Sequence, residues 1–431
     1  MHVCHCQRSF GSEAGLMQHQ TDKHGSTTPL NNVNLQPTPV NPRANVRGRR
    51  SPREARMWRG LRSLAPAQII DPAVLEPSAM PVSSTTRPEL VCSYNWQGSA
   101  GFHVPGHAPL WKDLALPITL PKDNRNSSAR VLAWQISQYP FQQVFQAAEL
   151  MSPGFRFSDV DVVVTRNSLR KLLDLCARRS QQSFRVTVSV VNGTLFVEQY
   201  DSAFMAFQSA GWGHSFERAF TAFPPGLEAS TSHDRFLCYP IGGLNCVVGF
   251  EVDACYRERD GNGSGEGATV DDTLKTMRAG MDALALGNPS APQAASPSSI
   301  TPKERAMPQS TAAEIKSSGG KSRTGISAYL PQLWFGRTPW LIVGSHNEGT
   351  VTQIRITNVE DSFARWEADH QGELRRLAAL LAELRDAVGR HGGRGCAVIY
   401  DKDAGTRVVA VHPLAQGVAA IPEDVRGRFW D

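Results

Sequence analysis

The spacing of apolar and polar positions predicts regular secondary structure from about residue 91 onward. The run "DVDVVVTR" (159–166) predicts a buried strand, and "NSLRKLLDLCARR" (167–179) predicts an amphipathic helix capped by Asn167 or Ser168. In "FRVTVSVVNGTLFVEQY" (184–200), two alternating runs flank Asn192–Gly193, a dipeptide that favours a hairpin turn. Strands and helices therefore alternate along this part of the chain.

The C-terminal third continues this alternation. "PWLIVGS" (339–345) and "VTQIRITNV" (351–359) predict strands, and "CAVIY" (396–400) with "RVVAV" (407–411) predicts a closing hairpin. Helices are predicted over residues 130–150 and, at greater length, over residues 361–389. The apolar face of the longer helix is expected to pack in the core: Phe363, Trp366, Leu374, Leu377, Leu381, Leu384 and Val388. Together these elements predict an α/β (α+β) fold.

Two stretches poor in apolar residues divide the chain. Residues 25–87 are rich in Pro, Ser, Thr, Asn and Arg and predict a disordered linker after a first unit of residues 1–24. Residues 257–310 predict a second disordered segment, with a short helix at 271–286. Because strand-like sequence resumes afterwards, we expect this segment to be an insertion in one globular domain, residues 88–431.

Charge is distributed unevenly along the 431 residues, whose formal net charge is +5. Residues 43–62 hold eight arginines and one glutamate, which contribute +7 and leave about −2 for the remainder. This basic arm predicts a polyanion contact or a nuclear-import signal, and a solvated tail is an equal alternative. Eight irregularly spaced cysteines, with no long apolar run and no signal peptide, predict a reduced, soluble, intracellular protein that does not enter a membrane.

The N-terminus carries Cys and His residues at metal-binding spacing. Twelve residues separate Cys6 from His19, and four separate His19 from His24. This stretch resembles a Cys2His2 zinc finger, in which Cys4, Cys6, His19 and His24 would bind Zn²⁺. It departs from the usual pattern because a single residue separates Cys4 from Cys6. Since one finger covers about 3 base pairs, sequence-specific DNA reading is not expected.

Acidic residues at short spacing suggest a second metal site. In "GFEVDA", Glu251 and Asp253 would share one strand face, and in "AAEIKS" Glu314 and Lys316 have the same spacing. Clustered carboxylates select hard cations such as Mg²⁺ or Mn²⁺, which could polarise a phosphoryl oxygen while Lys316 orients water or stabilises charge. "GWGHSFERAF" adds Glu217. On spacing alone, solvated strand ends remain the alternative.

The order of the motifs adds specificity. "DVVVTRNSLRKLL", "VNGTLFVEQ", "GWGHSFE", "FEVDA", "AEIKS" and "PQLWFGRTPWLIVGSHNEGTV" occur in this order over roughly residues 90–412. The series resembles the DXO/Rai family of decapping and deNADding exoribonucleases. The resemblance implies a mixed-sheet PD-(D/E)XK nuclease core flanked by helices. It also implies hydrolysis at RNA 5′ ends: removal of incomplete or NAD caps, pyrophosphohydrolysis, or 5′→3′ trimming.

The resemblance also implies roles for individual residues. Lys316 matches the catalytic lysine of the family, Gln332 a glutamine near the reaction centre, and Arg166 an arginine that faces the RNA 5′ end. The implied Mg²⁺ or Mn²⁺ ligands are Glu217, Glu251, Asp253, Glu314 and the backbone carbonyl of Ile315. A partner exoribonuclease and a nuclear location, with the cytoplasm as a second one, are further implications.

Departures from the family pattern leave cap preference open. His214 and Ser215 stand where the family has Tyr and a basic residue, Ser317 replaces Thr, and Phe250 replaces a small residue. The alternative function is a non-catalytic nucleic-acid-binding or scaffold protein that keeps the nuclease fold. Outside these motifs, we expect His233 to lie in a polar turn.

Overall fold

Two units make up the chain, Met1–Arg50 and Ser51–Asp431. The computed structural model describes residues 2–3, 9–10, 56–98, 101–123, 139–199, 211–258, 302–319, 325–415 and 421–430. In the first unit, strand β1 (His2–Val3) pairs antiparallel with β2 (Ser9–Phe10). The predicted zinc ligands Cys4, Cys6, His19 and His24 lie outside the described residues, so the zinc finger stays a prediction.

The second unit contains strands and helices in mixed order. Its strands are β3 (Gln68–Ile70), β4 (Glu89–Trp96), β5 (Phe102–His103), β6 (Leu110–Trp111), β7 (Ile118–Thr119), β8 (Val162–Thr165), β9 (Phe184–Val191), β10 (Thr194–Gln199), β11 (Thr221–Ala222), β12 (Ser232–Ile241), β13 (Leu244–Glu251), β14 (Ala254–Cys255), β15 (Ala312–Gly319), β16 (Trp340–Asn347), β17 (Thr350–Asn358), β18 (Cys396–Tyr400) and β19 (Val409–Pro413). Its helices are α1 (Gln142–Met151), α2 (Arg166–Cys176), α3 (Gly213–Phe220), α4 (Leu330–Phe335), α5 (Asp361–Arg390) and α6 (Glu423–Trp430).

The described strands of this unit form two mixed sheets. The larger has the order β3-β19-β18-β9-β10-β8-β13-β12-β4-β5, and the smaller has the order β11-β6-β14-β15-β16-β17-β7. Strand β8 runs parallel to both neighbours, β10 and β13, whereas β12 and β13 form an antiparallel hairpin. In the smaller sheet β15 and β16 are parallel. The predicted α+β fold class is therefore confirmed.

Strand β8 and helix α2 show how the sequence sets local structure. The valines of β8 are fully buried, as expected for a short strand between two parallel neighbours. The predicted strand is too long, because helix α2 already begins at Arg166. Thr165 is the last extended residue, and its side-chain oxygen accepts a hydrogen bond from the backbone N–H of Ser168. The predicted cap at Asn167 or Ser168 is therefore wrong by two or three positions.

Three further sequence predictions are confirmed. The Asn192–Gly193 turn joins β9 to β10, and both turn residues have positive φ angles, +46° and +86°, as a type I′ turn requires. Helix α5 buries the complete predicted apolar stripe, with one non-helical residue at His370. Strands β18 and β19 form the closing hairpin. In the described part of the chain, no helix combines the length and apolarity needed to cross a bilayer.

The predicted linker over residues 25–87 is wrong from residue 56 onward. Strand β3 pairs with β19, and Met57 is buried. The Arg185 guanidinium donates to the carbonyl oxygens of Met57 at 3.0 Å and Arg59 at 2.6 Å. These contacts are made by backbone carbonyl oxygens, which every residue type carries. They therefore produce no apolar periodicity in the sequence, and composition could not predict that this segment is attached to the domain. Residues 25–55 lie outside the described residues.

The predicted insertion and the predicted His233 turn also need correction. Residues 259–301 lie outside the described residues, but residues 302–310 are folded against the domain. Met307 is buried, and its carbonyl oxygen accepts a hydrogen bond from Arg235 at 2.7 Å. His233 is fully buried on β12, where its Nδ1 lies 2.6 Å from Oδ1 of Asn95, so the predicted polar turn is wrong.

A glycine fixes the position of helix α3, which carries Glu217. Gly344 lies on β16, and a Cβ atom added there would overlap the fully buried ring of Phe216. We expect Gly344→Ala to lower the free energy of unfolding by about 1–3 kcal/mol, because overpacking a close-packed core forces its neighbours apart. Urea denaturation of the full-length protein measures this loss.

Gly389→Ala is the matched control, because an added Cβ there meets no atom within 4 Å. It lies inside a helix, so it should leave stability unchanged or raise it by up to about 1 kcal/mol. Equal effects of the two substitutions would contradict the packing of Phe216 on Gly344.

Candidate active site

The predicted acidic residues come together where the two sheets of the second unit meet. Glu251 is the last residue of β13 in the larger sheet, and Ala254 begins β14 in the smaller sheet. Asp253 lies in the crossing between them, and its Oδ2 accepts a hydrogen bond from the backbone N–H of Ile315 on β15 at 2.9 Å. Glu251 and Asp253 therefore do not share one strand face as predicted, because the strand ends between them.

Glu314 is the centre of the site. It lies on β15 and is only 2% exposed. Its Oε2 accepts from Nη1 of Arg166 at 3.0 Å, and its Oε1 accepts from Nζ of Lys316 and Nε2 of Gln332. The predicted juxtaposition of Glu314 and Lys316 on one face of a strand is confirmed. Lys316 also donates to the carbonyl oxygen of Ile315 at 3.0 Å.

Arg166 binds protein groups. It is the first residue of α2 and is 8% exposed. Besides its ion pair with Glu314, it donates from Nη2 to the carbonyl oxygen of Glu251 at 3.3 Å, and its guanidinium lies 5.3 Å from the centre of the Phe250 ring. Phe250, a departure from the family pattern, therefore packs on this arginine. The structure places Arg166 in the cluster, and its role toward RNA stays a prediction.

Helix α3 brings Glu217 to the same region. The carboxylate of Asp123, from a distant part of the chain, accepts hydrogen bonds from the backbone N–H groups of His214 at 3.2 Å and Ser215 at 2.8 Å. These bonds satisfy groups at the helix N-terminus that would otherwise lack partners. The Nδ1 of His214 lies 3.6 Å from Oε2 of Glu217, and this contact raises the pKa of His214. Asp123 thus holds the start of helix α3, and His214, a position that departs from the family pattern, faces Glu217.

Neighbouring charges shift the pKa values of the cluster in opposite directions. Burial alone would raise the pKa of Glu314, but Arg166 and Lys316 outweigh it and lower that pKa to about 2. Burial and the negative charge of Glu314 raise the pKa of Asp253. Lys316 lies 3.8 Å from Asp253, and although burial opposes its charge, Glu314 and Asp253 raise the pKa of its ammonium.

Glu251 is exposed to water at the end of β13, although nearby protein atoms displace part of its hydration. Loss of water contacts, followed by repulsion from Asp234 and Glu217, raises its pKa to about 8. Asp234 is a site residue that we did not predict from the sequence. It lies directly opposite Glu251 in the β12–β13 hairpin. The signal was present, because Gly242–Gly243 between two apolar runs favours a hairpin turn, and counting outward from it pairs these two positions.

Arg170 is the second residue that sequence reasoning missed. It follows Arg166 by one helical turn on α2, and its Nη1 donates to Oε1 of Gln332 at 3.1 Å. The i, i+4 spacing on a predicted helix was the available signal, since such residues lie on one face. Gln332, on α4, thus bridges Arg170 and Glu314.

The donor set suits a hard divalent cation in its chemistry. Among the described residues the site has more acidic than basic side chains: Glu217, Asp234, Glu251, Asp253 and Glu314 against Arg166, Arg170 and Lys316. Oxygen donors in negative surplus favour Mg²⁺, Mn²⁺ or Ca²⁺. Glu314 faces Arg166 and Lys316, Asp253 faces Lys316, and no described group of three or more His, Cys, Asp or Glu side chains is already arranged around a metal position. Binding a cation would require these side chains to reorient.

A family model described as a domain of unknown function (DUF8563) matches residues 66–430. No curated protein matches the chain. Several solved structures are similar in fold. Scheffersomyces stipitis Rai1 is 10% identical with a TM-score of 0.53, over 82% of this chain and 99% of that chain.

Two further structures give the same result. S. stipitis Rai1 in complex with (3′-NADP)⁺ and calcium ion is 11% identical with a TM-score of 0.51, over 83% of this chain and 97% of that chain. S. pombe Rai1 is 12% identical with a TM-score of 0.50, over 80% of this chain and 99% of that chain. At such identities the likeness establishes a shared fold, which confirms the resemblance at that level.

The ion pairs of Glu314 predict a large stability effect in metal-free protein. Glu314→Gln would leave Arg166 and Lys316 without their carboxylate in a buried place, so we expect the free energy of unfolding to fall by roughly 3 kcal/mol. Glu217→Gln is the matched control, because the Glu217 side chain is 39% exposed and its ion-pair partner is His214 at 3.6 Å. It should cost less than about 1 kcal/mol.

Urea denaturation in the presence of EDTA measures both losses. Similar losses for the two variants would show that Glu314 does not hold the site together.

Proposed function

This chain belongs to the DUF8563 family, a domain of unknown function, and we propose that it is a metal-dependent hydrolase acting on RNA 5′ ends. Its reactions would be removal of incomplete or NAD caps, pyrophosphohydrolysis of a 5′ triphosphate, or 5′→3′ trimming. The observation that carries the proposal is the meeting of Glu251, Asp253, Glu314 and Lys316 at the junction of two sheets, in the fold of Rai1. The S. stipitis Rai1 complex with (3′-NADP)⁺ and calcium ion supports a nucleotide and a divalent cation as ligands.

The residues that would hold the cation are Glu217, Glu251, Asp253, Glu314 and the carbonyl of Ile315. Mg²⁺ or Mn²⁺ held there would supply Lewis-acid polarisation of a phosphoryl oxygen and easier deprotonation of water. Such binding would also remove the repulsion that now raises the pKa values of Glu251 and Asp253.

Lys316 would stabilise charge and would not act as a base. Its pKa is raised by Glu314 and Asp253, so its ammonium group stays protonated at neutral pH. A protonated lysine beside the reacting phosphate can donate hydrogen bonds to oxygens that gain negative charge in the transition state. Gln332 and Arg166 would hold the Glu314 carboxylate in its orientation, because both donate to it.

A nuclear location, an exoribonuclease partner and the zinc finger are further parts of the proposal. They rest on the sequence resemblance and on the basic arm of residues 43–62.

Hydrolysis of defined RNA ends tests the proposed function. We expect full-length protein with Mn²⁺ or Mg²⁺ to act on short RNAs bearing 5′ monophosphate, triphosphate, unmethylated cap or NAD, and to lose activity in EDTA. Glu251→Gln should lower kcat/KM by at least about 100-fold, because electrostatic groups in a catalytic centre contribute about that much. Glu423→Gln is the matched control, since the Glu423 side chain is 91% exposed on α6.

The alternative is a non-catalytic RNA-binding or scaffold protein. One observation favours it: Glu314 is already neutralised by Arg166 and Lys316, and the described carboxylates are not arranged around a metal position. RNA binding without hydrolysis of any tested end, by protein that unfolds cooperatively, would favour this alternative. Hydrolysis that Glu251→Gln leaves intact would place the reaction elsewhere.

A further inference from the structure

Arg170 reaches the site beside Arg166 but binds different groups. Both lie on α2, one helical turn apart. The Nη1 of Arg170 donates to Oε1 of Gln332 at 3.1 Å, and Gln332 donates to Glu314. The Arg170 guanidinium therefore lies one side chain away from the central carboxylate of the site.

The two arginines differ in how their charge is neutralised. Arg166 is 8% exposed and pairs with Glu314, and its second terminal nitrogen donates to the carbonyl oxygen of Glu251. Arg170 is half-buried and contacts the neutral amide of Gln332, and none of the ion pairs between described residues involves it. Arg170 thus has no described carboxylate within ion-pair distance, and only the more distant Glu314 and Asp174 offset its charge.

This arrangement favours an anion next to Arg170. Burial and the nearby charge of Arg166 both lower the pKa of Arg170, and an anion would oppose both effects. A planar guanidinium matches the geometry of a phosphate, to which it can donate two parallel hydrogen bonds. The Gln332 amide, which also binds Glu314, accepts a hydrogen bond from the guanidinium at 3.1 Å.

We propose that Arg170 binds the terminal phosphate of an RNA 5′ end, with Gln332 orienting its guanidinium, and that Arg166 is a structural cation that holds Glu314. The inference rests on the proposed function, because it takes an RNA 5′ end as the ligand. To the proposed function it adds a role for Arg170, which would distinguish an RNA with a 5′ phosphate from one with a 5′ hydroxyl.

Binding in EDTA tests this assignment separately from catalysis. Fluorescence anisotropy of full-length protein would compare two 3′-labelled short RNAs of one sequence, bearing a 5′ phosphate or a 5′ hydroxyl. We expect the wild type to prefer the phosphate by roughly tenfold. Arg170→Ala should reduce the preference to less than about twofold. Arg170→Lys should retain part of the preference, because lysine keeps the positive charge but lacks the paired N–H donors of the guanidinium.

Arg426→Ala is the charge-matched control. Arg426 binds Oδ1 of Asn192, in the turn that precedes β10. Strand β8 runs parallel to β10, and the site lies beyond the far end of β8, so Arg426 is at the opposite end of these strands from the site. This variant should keep the full preference. Thermal unfolding of each variant checks that the fold is intact.

Two results would overturn the assignment. One is a wild type that binds both ends equally, and the other is an Arg170→Ala variant that keeps the preference or weakens both RNAs by the same factor. If the preference and its loss are observed but no RNA end is hydrolysed, the proposed function fails while the role of Arg170 stands. If RNA is hydrolysed but Arg170→Ala leaves end preference unchanged, only the assignment of Arg170 fails.

Discussion

The candidate site depends on the buried carboxylate of Glu314. This residue lies on β15 of the smaller sheet, yet it pairs with Arg166, which begins the helix after β8 of the larger sheet, and it binds Gln332 on α4. A carboxylate that is only 2% exposed is costly unless its oxygens are fully hydrogen-bonded and its charge is balanced. Arg166 and Lys316 supply that balance. One side chain thus ties both sheets and two helices to the same point.

The path of the chain between the two sheets sets where the remaining carboxylates lie. After Glu251 the chain leaves the larger sheet, and the backbone N–H of Val252 still donates to the carbonyl oxygen of His233 at 2.9 Å. One residue later Asp253 accepts from Ile315 of the smaller sheet. Each end of this short crossing is therefore held by a different sheet. The spacing of the two acids reflects this transfer and not the alternation of side chains along one strand.

Local patterns in the sequence predicted local features and failed where distant contacts decide. The Asn192–Gly193 turn and the pairing of Glu314 with Lys316 depend on a few neighbouring residues, so both were predictable. The attachment of Met57 and Arg59 to the domain depends on Arg185, more than a hundred positions away, and left no periodic signal. The pairing of Asp234 with Glu251 is an intermediate case. The two residues are distant along the chain, but their pairing follows from the position of the hairpin turn once that turn is recognised.

The charges of the site connect the fold to the proposed chemistry. Arg166 and Lys316 both pair with Glu314, and Lys316 also lies 3.8 Å from Asp253, so these two cations face a larger number of described carboxylates. Partial loss of hydration and repulsion from neighbouring carboxylates raise the pKa of Glu251 to about 8 and also raise the pKa of Asp253, so both charged forms are less favourable here than in water. Because these carboxylates repel one another at the junction of two sheets, a bound cation would offset their repulsion, as the proposed hydrolase requires.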